Sequence, residues 1–409
     1  MCNYTDNLAY LVNTSKMLSS MAVAYGNNQE FECSYIGNQK EVFEQDQKFV
    51  ENTIPLKEES IFDVASLTKL FTCVAVLMLI EKRKIKMTDT ISVLDKRFSK
   101  LHGVSIYDVL TYRVNLKSPE RIAEQHSYND ALKQVFSIFS SKEKPEKLYS
   151  DMHALVLKYI VESVTNTGFD DFLRDNIFIP LNMKTTYGNV PTDKLNSCVC
   201  YNYEHKIING KYIIDKNVKH GMPHDPKARI LRSQSSIISG HAGIFSTLSD
   251  MVKFCQGLLS GKLISYRTLS MIGVNQSGYL KPSGEYQQYM GLICFSKSVV
   301  KRFSEVPEWM GQKAFALSGY TGCHLAIDPE SGIFEVMLGN RCHNRLSLIH
   351  PIEDLTSYNI NLDGSGAVIW EDGREVVSSF QYVYNKDEYL HKPVYERLKK
   401  IQLIEGGKN

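Results

Sequence analysis

The chain of 409 residues has no C-x-x-C pair, no unbroken apolar run of membrane length and no concentrated basic segment. The first absence removes the zinc modules built on paired C-x-x-C motifs. The second removes a spanning helix. The most apolar stretch, Leu70 to Ile80, has about half the length a bilayer requires, and Lys69 borders it, so it reads as a buried core helix. The third, with a net charge of +2, leaves no electrostatic case for nucleic acid. Repeats and low-complexity segments are also missing. The opening residues MCNYTDNLAYLVNTSK lack the basic and apolar regions of a secretion signal. Nine cysteines, an odd number, are scattered, and only Cys198 and Cys200 lie close together. Free thiols in a reducing cytoplasm are therefore expected. No histidine pattern has metal-ligand spacing, and neither a metal nor a cofactor is expected.

What is present is ordinary globular material, 43% hydrophobic and 22% charged. The length allows one large domain or two subdomains around a cleft. Residues 5–20 read as a short helix, and Met21–Tyr25 and Glu30–Ile36 as strands. The middle of the chain is mainly helical, with candidates at Ile106–Leu110, Tyr128–Ser140, His153–Thr165, Phe169–Asn176 and Leu248–Leu259. Residues 192–240 read mostly as loop. Ala314–Ile327 and Ile333–Asn340 read as paired strands across Asp328-Pro329-Glu330-Ser331-Gly332, and Ala367–Glu371 with Glu375–Gln381 as a further hairpin. The expected class is α+β, an antiparallel sheet flanked by helices with a mainly helical insertion. Residues 1–83 and 311–385 would form the sheet subdomain, 84–310 the helical one, and 386–409 a C-terminal helical tail.

Residues 62–71, FDVASLTKLF, place Ser66 and Lys69 one turn apart on a helix face. A serine hydroxyl needs an adjacent base to become a nucleophile. A lysine serves only when neutral, a form that apolar surroundings favour. The same S-x-x-K spacing recurs at Ser141–Lys144 and Ser298–Lys301, but there the lysines sit in polar surroundings. Ser66 also stands at a helix start, where free N–H groups favour a developing oxyanion.

Several stretches then match one family in order. Phe62 to Lys69 resembles the nucleophile helix of β-lactamase-related serine hydrolases, a class that includes class C β-lactamases, penicillin-binding-protein-like esterases and D-amino-acid peptidases. Val104 to Thr111 is similar to the family's T-I-x-D-L-L-T-H segment, with Tyr112 at the usual His. Leu148-Tyr149-Ser150-Asp151 resembles its Y-S-D/N motif, Ile177 to Met183 its I-F-x-P-L-G-M stretch, and Gly240 to Thr247 one of its loops. Gly319-Tyr320-Thr321-Gly322 resembles the late strand pair.

The resemblance implies the β-lactamase/transpeptidase-like fold, Ser66 as nucleophile, Lys69 as base and Tyr149 as proton shuttle. It also implies an oxyanion hole formed by the amides of Ser66 and Tyr320. Leu317-Ser318-Gly319 falls at the family's K-T-G position, with Tyr320-Thr321-Gly322 as the alternative register. The cation is missing there, which argues against strongly anionic substrates, while the Ser318 hydroxyl remains. Asp151 is expected in the cleft beside Lys69 and Tyr149, with helix capping as its competing role.

His241 reads as part of a structural loop, His224-Asp225 as a loop at the cleft mouth, and His153 as a helix residue with a local hydrogen bond. Cys323 and His324 alternate in facing, so one of them would line the cleft. The leading function is hydrolysis of an ester or amide of a small molecule or peptide through an acyl-serine. Acyl transfer from the same intermediate is one alternative, and an inactive ligand-binding relative is the other. No nucleic-acid or membrane partner is expected, and the sequence leaves the oligomeric state open.

Overall fold

Alternating apolar and small residues near both ends of the chain build one sheet. In this computed structural model, residues 4–404 are described apart from 47, 146, 217, 234–236 and 302–303. The expected tail therefore lies outside the described residues from 405 onward. In chain order the elements that frame the site are α1 (Tyr4–Ala9), β1 (Ser20–Gly26), β2 (Phe31–Gln45), β3 (Lys48–Pro55) and α2 (Thr68–Glu81). There follow α3 (Asp151–Thr165), β4 (Glu204–Ile208), β5 (Lys211–Asp215), α4 (Leu248–Leu259), β6 (Phe295–Ser296) and β7 (Phe315–Ser318). Last come β8 (His324–Asp328), β9 (Ile333–Asn340), β10 (Leu346–His350) and α5 (Lys392–Lys400).

The main sheet runs β6-β7-β8-β9-β1-β2-β3, and every neighbouring pair is antiparallel. Its two faces follow from the pleat. Leu317 opposite Leu325, and Leu325 opposite Val336, join α2 and α3 in the largest core. The other face, with Val23 and Met337, packs under Leu390, Val394 and Leu398 of the C-terminal segment. A second sheet, β10-β4-β5, stands at the mouth of the cleft.

The α+β β-lactamase-like architecture is thus present, and Ile106–Leu110 and Leu248–Leu259 match their expected limits. Several details differ. The first helix stops at Ala9 and continues as a π turn through Thr14. Tyr128–Ser140 ends as helix at Phe136, and Phe169–Asn176 turns from α to π after Leu173. The segment Ala314–Ile327 is two strands, not one, because residues 319–323 turn the chain back and pair Ser318 with His324. Residues 192–240 contain the β4–β5 hairpin, closed by Asn209 (φ 49°) and Gly210 (φ 77°), the N-G turn whose twist suits a two-residue hairpin. Among the described residues no helix is long and apolar enough to cross a membrane. All eight described cysteines are free thiols.

Candidate active site

The α2 helix is buried on every side from Thr68 to Leu79. Phe71 stacks on Phe254 of α4 at 3.9 Å, so the helix is held like a rod in the core. The chain enters α2 through a tight turn, Ala65–Leu67. Ala65 there adopts a left-handed φ of 47°, a conformation a non-glycine residue keeps only when its surroundings enforce it. Asp63 supplies that enforcement. Its buried carboxylate accepts from the Ala65 amide at 2.8 Å and from the His224 amide at 2.7 Å.

Ser66 Oγ lies 2.9 Å from Lys69 Nζ, as the i, i+3 spacing requires. Lys69 is fully buried, yet it is not left neutral. Asp151 Oδ1 sits 2.7 Å from its ammonium. Burial alone would lower the lysine pKa, but Asp151 and the nearby Tyr149 carry it above the ordinary value. Apolar surroundings alone favour neutral Lys69, but the Asp151 carboxylate, at the place expected for it beside the lysine, outweighs them. Asp151 stays ionised despite burial because Lys69, His241 and Lys227 hold its pKa well down. Lys227 contacts the second carboxylate oxygen. Ser150, not Asp151, caps α3 by accepting from the Met152 amide.

Tyr149 packs its ring on Phe295 at 5.1 Å and lies beneath Lys69 Nζ, which is 4.8 Å from the ring centre. Its hydroxyl is buried within reach of Ser66 and Lys69. Burial raises the phenol pKa, and Lys69 opposes that rise. Tyr320, on the turn after β7, stacks on His224 at 5.3 Å, and its carbonyl accepts from Arg341 at 3.1 Å. Among the described residues the amides of Ser66 and Tyr320 have no backbone acceptor in turns or loops.

These groups line one cleft of about 630 Å³. Ser66, Tyr149, Asp151, Ser318, Gly319 and Tyr320 all face it, so every site residue read from the sequence is brought together. Leu317 is not among them. It is fully buried in the core on the α2 side, which means its side chain cannot decide substrate charge directly. The cation absent there arrives from elsewhere: Lys386 Nζ reaches Ser318 Oγ and Glu305 Oε2, each at 2.7 Å. Glu305, Lys386 and Tyr382 are cleft residues the sequence reading missed, since none lies near a motif that would mark it. Arg341 lines the cleft too, and Lys227 reaches it only through Asp151.

The remaining candidates divide. His241 is buried and bonded to Asp225 at 2.9 Å and to Ser239 at 3.1 Å, a structural role. His224 lines the cleft but pairs with Glu204 at 2.8 Å, not with Asp225. His153 is buried against the Val114 carbonyl at 3.0 Å, and burial lowers its pKa to about 4. Of the pair after the turn, Cys323 lines the cleft, while His324 bonds to Ser318.

The chain is 25% identical over 361 residues to an N-acetylmuramyl-L-alanine amidase of Bacillus subtilis (strain 168), with 81% of this chain and 76% of the relative covered. It is 24% identical over 312 residues to a protein of Salmonella gallinarum (strain 287/91 / NCTC 13346) named as a D-alanyl-D-alanine carboxypeptidase, covering 70% of each. Among solved structures, a mutant of simvastatin synthase from Aspergillus terreus superposes with a TM-score of 0.64 over 97% of both chains, at 14% identity. The Beta-lactamase family model matches residues 22–351. The chain belongs to the beta-lactamase family.

Proposed function

We propose that this protein is a serine hydrolase that cleaves an ester or amide of a small molecule or peptide through an acyl-Ser66 intermediate. The observation that carries the reading is the Ser66–Lys69 contact of 2.9 Å at the wall of the cleft, beside the buried Tyr149 hydroxyl. Neutral Lys69 takes the Ser66 proton as Oγ attacks the carbonyl carbon. The tetrahedral oxyanion is met by the Ser66 and Tyr320 amides, donors that need no reorganisation. Tyr149 passes the proton to the leaving group, and water then releases the acid by the reverse sequence. Because Asp151 favours the charged lysine, activity rises toward alkaline pH. Eight free thiols fit a reducing compartment.

A second reading, acyl transfer to an amine or alcohol, has one observation in its favour. The cleft extends from Ser66 past Tyr320 to Lys386, long enough for an acceptor beside the acyl group, and the structural neighbour is named a synthase. The test is labelling with a fluorophosphonate followed by peptide mass spectrometry. A stable adduct on Ser66 is expected. Labelling elsewhere, or none, would reject the nucleophile and leave a ligand-binding relative. Product analysis of an activated ester with and without added amine separates hydrolysis from transfer.

A further inference from the structure

Ser318 connects the cleft to a second cluster on the far face of the sheet, and its bonding can be counted. A serine hydroxyl has one proton to give and two lone pairs. Ser318 Oγ donates to Glu305 Oε2 at 2.6 Å and accepts from Lys386 Nζ at 2.7 Å. Its last lone pair faces His324 Nδ1 at 3.0 Å, so that ring nitrogen carries the proton. His324 is fully buried, with its one ring proton on Nδ1. Its Nε2 is therefore a bare lone pair.

That lone pair has no hydrogen-bond partner and lies 3.8 Å from Glu335 Oε1, acceptor facing acceptor. Glu335 is itself fully buried, and neither carboxylate oxygen has a hydrogen-bond partner. His391, from the π turn Asp387–His391 that leads into α5, brings Nδ1 into contact with the same oxygen without hydrogen-bond alignment. One nitrogen of each ring and a carboxylate oxygen all lie within 4.8 Å of one another. A buried space that holds the His324 lone pair and an anion, with the His391 ring against the same oxygen, calls for a positive centre. An imidazolium on His391 would answer Glu335 but leave His324 Nε2 facing an acceptor. A divalent metal answers all three.

We propose that His324, Glu335 and His391 bind one zinc ion, His324 through Nε2 and His391 through Nδ1. Two imidazoles and a carboxylate are a donor set that suits zinc, and the second Glu335 oxygen is available as a fourth donor. The His324 Nδ1–H bond to Ser318 is the kind that orients a ligating histidine. Ligand atoms around a tetrahedral zinc stand ~3.3 Å apart for bonds of ~2.0–2.1 Å, so the 3.8 Å His324–Glu335 separation has to close slightly and the tighter His391–Glu335 contact has to open. Two other buried clusters make no such demand. Glu204 beside His224 and Cys342 is already bonded to His224, Lys206 and Ser347. Asp151 beside Asp225 and His241 is already paired with two lysines. The ion would fasten the C-terminal segment to β8 and β9, and so fix Tyr382 and Lys386 in the cleft wall.

Untagged full-length protein from zinc-supplemented culture is expected to carry about one zinc per chain by elemental analysis. Glu335→Gln is expected to carry none. Protein made in zinc-depleted medium should melt about 5 °C lower and recover when zinc is added. A cobalt-loaded sample should show ligand-field bands without thiolate charge transfer, a result that stands even where Glu335→Gln fails to fold. Wild-type protein with less than about a tenth of an ion per chain after supplementation overturns the proposal. So does zinc retained in a folded Glu335→Gln, or a cobalt–thiolate band, either of which moves the metal to Cys342.

Discussion

The cleft contains two serine–lysine contacts, and they differ in what each serine proton can do. At one end Lys69 Nζ is 2.9 Å from Ser66 Oγ; at the other Lys386 Nζ is 2.7 Å from Ser318 Oγ. The lengths are nearly equal. Ser318, however, has committed its proton to Glu305 and both lone pairs to donors. Ser66 Oγ accepts from Lys69 and lies beside the Tyr149 hydroxyl, with no carboxylate partner among the described residues. Proximity to lysine alone therefore does not distinguish the two serines; the carboxylate that takes the Ser318 proton does. The remaining S-x-x-K pairs teach the same lesson from the lysine side. Lys144 is engaged by Glu285 and Lys301 by Glu308, both at the surface.

The strongest way to break this comparison is to delete each hydroxyl in turn. Ser66→Ala should lose at least ~1000-fold in turnover of a neutral aryl ester, and Ser318→Ala less than ~10-fold. Equal losses measured by kcat/KM would erase the distinction between the two contacts.

Charge separates the ends next. Around Ser66, Asp151 serves two ammonium groups, and its folded-state pKa is depressed. Such a carboxylate stabilises the fold above its unfolded pKa of about 3.9, and that stability is lost as pH falls toward the folded value. Asp151→Asn should cost about 3 kcal/mol near neutral pH, with the gap from wild type narrowing below about pH 4. Chemical denaturation at several pH values measures this, and a gap independent of pH would contradict it.

Catalysis responds in its own way to the same residue. Removing the Asp151 charge lowers the Lys69 pKa, so the rising limb of the pH–rate profile should move about one unit to lower pH. Lys227→Met leaves Asp151 wholly to Lys69 and should move the limb upward. Limbs that stay fixed in both variants would remove Lys69 from the proton transfer.

The smallest expected effect is at the Ser318 end. Glu305→Gln releases Lys386 from its carboxylate partner and should improve carboxylate-bearing substrates over neutral ones by about 1–2 kcal/mol. An unchanged preference would show that the ammonium does not meet substrate.

What the sequence made legible follows from how local each signal is. Ser66 with Lys69, and Tyr149 with Asp151, are short patterns on single elements, and the family wording carried Ser318 and Tyr320 with them. Lys227, Glu305 and Lys386 meet their partners Asp151 and Ser318 across 76, 13 and 68 residues. No periodicity records such meetings. The strand over Ala314–Ile327 looked continuous because its apolar alternation runs through the turn that Gly322, at φ 108°, permits. The β4–β5 hairpin was readable in principle, since Asn209-Gly210 stood in the text of the sequence, but its polar flanks hid it. His324, Glu335 and His391 come from three elements, so their spacing matched no metal pattern.

The order of the main sheet has a consequence for how the protein comes into being. Strand β1 lies between β2, its neighbour in sequence, and β9, whose residues Ile333–Asn340 are made more than three hundred residues later. The turn at Ser66 thus leaves the ribosome well before the strand that completes its sheet and the Lys386 wall of its cleft. Until then β1 presents an open edge, and the long loop it must close slows its pairing. The nascent chain carries its serine without the Tyr320 amide and the walls of the cleft, so the chemistry proposed for Ser66 waits for segments made much later.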